Sequence, residues 1–149
     1  MAGETDGQVQ TNKSGTDYEL ICFSLSSWRI LTYMSRVARI VVPGFPHHVT
    51  QRGNRRSDVF ESDDDRHAYL RFLKQYAARH GVSVCAYCLM INHIHLVVVP
   101  EREDSLAKGL RDAHTVYAMR FNTRTHLSGH VWQGRFYSCP MDETHLWAA

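Results

Sequence analysis

The sequence predicts a domain of the α+β class, an antiparallel sheet with helices packed on one face, and three observations predict it. Apolar residues recur at helical spacing in two segments, about 64–80 and 105–122. Short runs rich in β-branched and aromatic residues surround them, in the order strand, helix, two strands, helix, strand. Composition permits a core: 44% of the 149 residues are hydrophobic and 11% aromatic, which excludes wholesale disorder.

The elements follow in order. Residues 1–19 are polar and lack apolar periodicity, and the patterned region opens after Met34. Residues 1–33 are read either as a disordered or spurious extension ahead of an original start at Met34, or as an ordinary N-terminal arm. His47-His-Val-Thr-Gln51 reads as a short strand, followed by the basic turn Arg52-Gly-Asn-Arg-Arg56. In the first helix Tyr69, Leu70, Leu73, Tyr76 and Ala77 share a stripe, acidic residues crowd its start, and Gly81 follows its end. Residues 82–90 and 94–99 read as two strands or one hairpin. Ser105 is placed as the cap of the second helix, whose stripe is Leu106, Leu110, Ala113, Tyr117 and Phe121. A last strand is expected around 135–139, and a helix begins at Asp142 with nothing to end it by Ala149. The order matches a ferredoxin-like sheet.

Several function classes are excluded early. The longest apolar stretch, residues 20–34, is broken by serines and Arg29, short of the ~20 residues a membrane helix needs. Four scattered cysteines and no basic leader point to a reducing, cytoplasmic setting. The net charge of +2 hides a split. Residues 1–33 carry two basic and four acidic side chains, whereas residues 34–149 carry 15 basic against 11 acidic and all ten histidines. A modestly basic, Arg- and His-rich domain suits a phosphate-bearing partner.

The sharpest local feature is Asn92-His93-Ile94-His95-Leu96. On a strand, His93 and His95 point to one face while Ile94 and Leu96 point to the other. Two adjacent imidazoles make a pair of metal ligands that needs a third from elsewhere, or else an exposed or hydrogen-bonded pair. In Cys85-x-x-Cys88 the offset of three sends the thiols to opposite faces, wrong for one zinc site, so small apolar roles in or near the core are expected. The turn 52–56 and the segment Gly129-His-Val-Trp-Gln-Gly-Arg-Phe-Tyr137 mix arginine with glycine. Arginine grips phosphate and aromatic rings stack on unpaired bases. Equally, Trp132 and Phe136 belong to a core with Arg135 paired to a carboxylate.

Taken together, Pro43-Gly-Phe-Pro-His-His-Val-Thr-Gln-Arg-Gly-Asn-Arg-Arg56, Ala86-Tyr-Cys-Leu-Met-Ile-Asn-His-Ile-His-Leu96 and Gly129-His-Val-Trp-Gln-Gly-Arg-Phe-Tyr-Ser138 resemble the bacterial HUH-type tyrosine transposases. The likeness is to the branch associated with repetitive extragenic palindromes and related to insertion sequence 200. It covers about residues 35–149 in matching order. It implies a ferredoxin-like, homodimeric domain acting on single-stranded DNA with hairpins, with His93 and His95 holding Mg²⁺ or Mn²⁺. It implies a tyrosine nucleophile that forms a 5′-phosphotyrosine and frees a 3′-hydroxyl. On this reading Arg52, Asn54, Arg55 and Arg56 contact the DNA backbone, with Gln133 and Arg135 near the scissile end. The family's tyrosine lies on a helix after the Trp-Gln-x-Arg-Phe segment, so here it is expected beyond Ala149, with Tyr137 as the substitute within the chain. Residues 34–149 are accordingly expected to be a transposase-like domain incomplete at its C-terminus, holding metal and DNA without strand transfer. The alternative is a non-catalytic module that binds single-stranded nucleic acid.

Overall fold

The computed structural model describes residues 39–142. The expectations for residues 1–33 and for a helix running on from Asp142 lie outside the described residues. Six regular elements follow one another in the expected order: β1 (His47–Arg52), α1 (Asp63–Arg79), β2 (Val82–Met90), β3 (His93–Pro100), α2 (Ser105–Thr125) and β4 (Tyr137–Pro140). The strands make one sheet, β2-β3-β1-β4, with every neighbouring pair antiparallel. This is the ferredoxin-like arrangement that the sequence predicts. Among the described residues no helix is long and apolar enough to cross a membrane.

Strand alternation decides which side chains meet the helices. In β1, His47, Val49 and Gln51 are buried beneath α1 and α2, while His48, Thr50 and Arg52 occupy the opposite face. In β3, Ile94, Leu96 and Val98 are buried and His93 and His95 lie between them on the other side. The helix-covered face holds an aromatic cluster: Tyr69 meets Tyr117 edge-on at 5.3 Å, and Trp132 lies 4.6 Å from the His114 ring. Trp132 and Phe136 are both core residues, which settles the sequence's open alternative in favour of packing.

The two helices are tied at one end. Ser62 caps α1 by accepting the Asp65 backbone N–H at 3.3 Å, and the Asp65 carboxylate accepts the Glu61 N–H at 3.0 Å. Arg124 then donates to buried Asp65 at 2.8 Å and to Glu61 at 3.0 Å. That anchor carries α2 past residue 122 to Thr125, where His126 ends it in the left-handed region.

Three sequence expectations are corrected. Ser105 does not cap α2; it is the first helical residue, and its hydroxyl turns back to accept the Arg102 N–H at 3.1 Å. The last strand begins at Tyr137, later than expected, because its ladder with β1 runs only from Thr50↔Tyr137 to His47↔Pro140. Neither thiol of the Cys-x-x-Cys pair enters the core. A register shift between Val84 and Ala86 makes Cys85 an extra, exposed residue, and Cys88 then lies opposite His95.

Candidate functional site

The sheet face that no described element covers is where most of the singled-out residues gather, because the register aligns them. Arg52 of β1 lies opposite His93 of β3, and Thr50 lies opposite both His95 and Tyr137. His93 and His95 have ring centroids 5.1 Å apart. A third imidazole joins them: the His48 ring lies edge to edge with His95, centroids 5.2 Å and planes 13° apart, and its Nε2 shares a 2.9 Å hydrogen bond with His95 Nδ1. Its neighbour His47, pointing the other way, clamps the preceding turn by accepting the Val42 N–H at 3.1 Å and bonding Phe45 O at 2.8 Å.

The ring orientation of His93 is fixed locally. The Asn92 side-chain amide donates to the Arg56 carbonyl at 3.3 Å, so its oxygen is left to accept the His93 Nδ1–H at 2.7 Å. With Nδ1 carrying the proton, Nε2 of His93 keeps a lone pair. Neither His93 nor His95 spends Nε2 on a hydrogen bond among the described residues. Burial lowers the basicity of all three rings. It pulls His95 down to about 4, aided by His48, His93 and Arg52. His48 is lowered by burial alone, and His93 by burial and then by Arg52. Unprotonated imidazoles are the form that ligates a cation. Among the described residues, no set of three or more His, Cys, Asp or Glu is arranged to hold a metal ion.

The basic turn closes one end of this face. Asn54–Arg56 forms a single 3₁₀ turn in which Arg55 and Arg56 both sit in the left-handed region, at φ 53° and 63°. L-residues hold that conformation only at a cost, which concentrates at functional positions. Gly53 permits the turn, since a Cβ there would lie 2.1 Å from Ser57 O. Arg55 and Arg56 are exposed, and neither shares a hydrogen bond or ion pair through its side chain among the described residues. Gln133 runs alongside, its N–H donating to Arg52 O at 2.8 Å while its carbonyl accepts from Gln51.

Arg135 does not join this group. With Arg39, Trp132 and Phe136 it lines a separate cleft of about 560 Å³ between α2 and the segment leading to β4. No carboxylate pairs with it among the described residues; its electrostatic neighbour is Arg39, made less basic by burial and then by Arg135. Tyr117, read from sequence as packing, is buried and donates to the Val59 carbonyl. Tyr69 is buried against His114 at 3.0 Å, and Tyr76 is half-buried on α1. Tyr137 is 56% exposed on the uncovered face, and burial and then Cys139 raise its phenol above the ordinary value.

Two residues escaped the sequence reading. His48 could have been placed on the face of Thr50 and Arg52 by alternation, but its contact with His95 needs the β1–β3 register. Asn92 stood inside the histidine motif without a role, since its link to Arg56 O joins positions 36 residues apart.

Comparison with known proteins follows the same outline. The sequence profile of the family described as "Transposase IS200 like" matches residues 42–148, so the chain belongs to that family. The fold is similar to that of a REP-associated tyrosine transposase solved with a REP hairpin (TM-score 0.59, 20% identity), over 76% of this chain and 66% of that one. It is also similar to a candidate transposase from Deinococcus radiodurans R1 (TM-score 0.56, 15% identity), over 76% of this chain and 91% of that one. At these identities the likeness is one of fold. No curated protein matches significantly.

Proposed function

With the chain placed among the IS200-like transposases, we propose that it binds single-stranded DNA carrying hairpins and seats Mg²⁺ or Mn²⁺ between His93 and His95 at the scissile phosphodiester. One observation carries this reading: two imidazoles of lowered basicity on a sheet face that no described element covers, each without a partner for Nε2 among the described residues, beside Arg52. The donor set fits such an ion. Hard divalent cations keep waters and take phosphate oxygens, so two protein ligands serve when the substrate supplies others. Imidazole nitrogen favours Mn²⁺ over the harder Mg²⁺. When bound, the ion polarises a phosphate oxygen and neutralises developing charge.

The chain's own residues do the rest. Arg52 adds a fixed positive charge beside the histidines, and Asn54, Arg55 and Arg56 present donors to the strand backbone from a rigid turn. Gln133, held against Arg52, extends the contact towards the scissile end, while Arg135 stays with its separate cleft. Cleavage requires a tyrosine Oη to bond to phosphorus while the 3′-oxygen leaves with its electron pair and takes up a proton. Tyr137 stands on this face with one strand between it and His95, a backbone separation of about 10 Å. Its raised phenol makes it a reluctant nucleophile.

The test is a denaturing gel with purified full chain, a labelled single-stranded hairpin and Mn²⁺. A covalent protein–DNA band that disappears in the His93→Ala/His95→Ala variant supports the catalytic reading, and its further loss in Tyr137→Phe assigns the nucleophile. Binding in a native gel without a covalent band reduces the function to a single-strand binding module. Absence of binding across several hairpins refutes the DNA reading.

A further inference from the structure

We propose that His48 is a positioning residue for the metal site: it accepts the His95 Nδ1–H, fixing the tautomer of His95 so that Nε2 presents its lone pair to the cation. The proposal rests on the reading of His93 and His95 as metal ligands. A ligating imidazole commonly donates its other ring N–H to a neighbour, which fixes both tautomer and ring orientation. His93 meets this requirement through Asn92, the residue next to it in sequence. His95 is followed by Leu96, a buried residue facing the opposite side of the sheet. Its partner comes instead from β1, 47 positions away, at 2.9 Å.

The geometry is that of an aligned support. The His48 and His95 rings are nearly coplanar, 13° apart with centroids at 5.2 Å, so the 2.9 Å hydrogen bond runs within the ring planes, the direction in which a ring N–H meets a ring lone pair, and sets the rotation of His95. His48 is half-buried and anchored in the middle of a strand paired on both sides, where backbone freedom is small. Opposite His95 on the far side lies Cys88, and Thr50 is its partner in β1. The carboxylate that often orients a metal-bound histidine is replaced here by an imidazole. A neutral acceptor leaves the pair without the negative charge a carboxylate would add. The site therefore gains orientation from His48 without a stronger pull on the cation.

The experiment uses full-length protein and Mn²⁺ alone, titrated by the electron paramagnetic resonance signal of free Mn²⁺. The His48→Phe variant keeps an aromatic ring in that place but removes the nitrogen, and is expected to bind Mn²⁺ about 10–100-fold more weakly with an unchanged thermal melt. The His48→Gln variant places an amide oxygen near the Nε2 position and is expected to recover most of that loss. A long-range ¹H–¹⁵N spectrum of metal-free wild type should show the His95 proton on Nδ1, a readout that needs no variant. Equal Mn²⁺ affinity in wild type and His48→Phe, or a His95 proton on Nε2, would overturn the role of His48 while loss of binding in His93→Ala leaves the metal site standing. Wild type that binds no Mn²⁺ would refute the metal reading, and the role of His48 with it.

Discussion

His114 and His95 are both imidazoles stripped of basicity by burial, to about 3 and about 4, yet they sit in opposite kinds of surroundings. His114 lies on the helix-covered side among Tyr69 and Trp132, its Nε2 spent on the Tyr69 hydroxyl at 3.0 Å and its carbonyl on the Trp132 indole N–H at 3.2 Å. His95 lies on the bare side with Nδ1 spent on His48 and Nε2 without a partner among the described residues. A depressed basicity is common to a packing residue and to a prospective ligand. The ring nitrogen left over, and its position on a face that no described element covers, separates them.

The strongest way to break this contrast is to remove the ligands. The His93→Ala/His95→Ala variant should lose Mn²⁺ affinity by more than about 100-fold, beyond what a supporting residue costs. Its urea unfolding should move by no more than about 0.5 kcal/mol, as expected for side chains off the core. Retained Mn²⁺ binding would put the metal elsewhere. Trp132→Ala inverts the pattern. It empties the space beside Tyr69, Tyr117 and His114 and should cost about 3–5 kcal/mol of stability. A loss under 1 kcal/mol in the same unfolding measurement would show that the aromatic cluster does not hold the helices to the sheet.

Acid sharpens the comparison. The unfolded chain protonates His114 near 6.5, whereas the folded chain resists until about 3. Between those values the unfolded state binds more protons, so stability rises with pH and levels off above 6.5. The slope from His114 is about 1.4 kcal/mol per pH unit. His48, His93 and His95 shift in the same direction, so His114→Gln should flatten the profile by one proton's worth and leave a remainder. Unfolding free energies between pH 5 and 7.5 decide this, and an unchanged slope would show His114 titrating normally.

The smallest effect concerns the basic turn. Arg55→Gly relieves a left-handed arginine and should stabilise the fold by about 1 kcal/mol. If Arg55 touches phosphate, the same change lowers hairpin affinity evenly across sequences and reduces the salt slope by about 1. Unchanged affinity and slope would leave Arg55 without a DNA role.

Much of this fold is legible in the sequence because periodicity survives without partners. The stripe Leu106, Leu110, Ala113, Tyr117, Phe121 and the alternation of residues 94–99 both point to their true faces. What stayed hidden depends on contacts between distant positions. The length of α2 is decided by Arg124 meeting Asp65, 59 residues away. Cys85 is displaced by a bulge that only the β2–β3 pairing reveals. Of the proposed site residues, spacing puts His93 and His95 on one face and leaves ligand or hydrogen-bonded pair open, the resemblance makes them ligands, and Arg52 comes from the basic turn. The resemblance groups Arg135 with Gln133 at the scissile end, and the left-handed Gly134 between the two parts them.

The doublet His47-His48 has a consequence for folding fidelity. A one-residue slip of β1 against β3 would turn every β1 side chain to the other side. The two imidazoles would exchange faces, so a histidine would still stand on each. Arg52 would be driven under the helices and Val49 out into water, and the buried cation makes the slipped pairing costly. The proofreading of this face thus falls to an arginine at the strand's end, and a chain that lost that charge could keep every histidine and still misplace them.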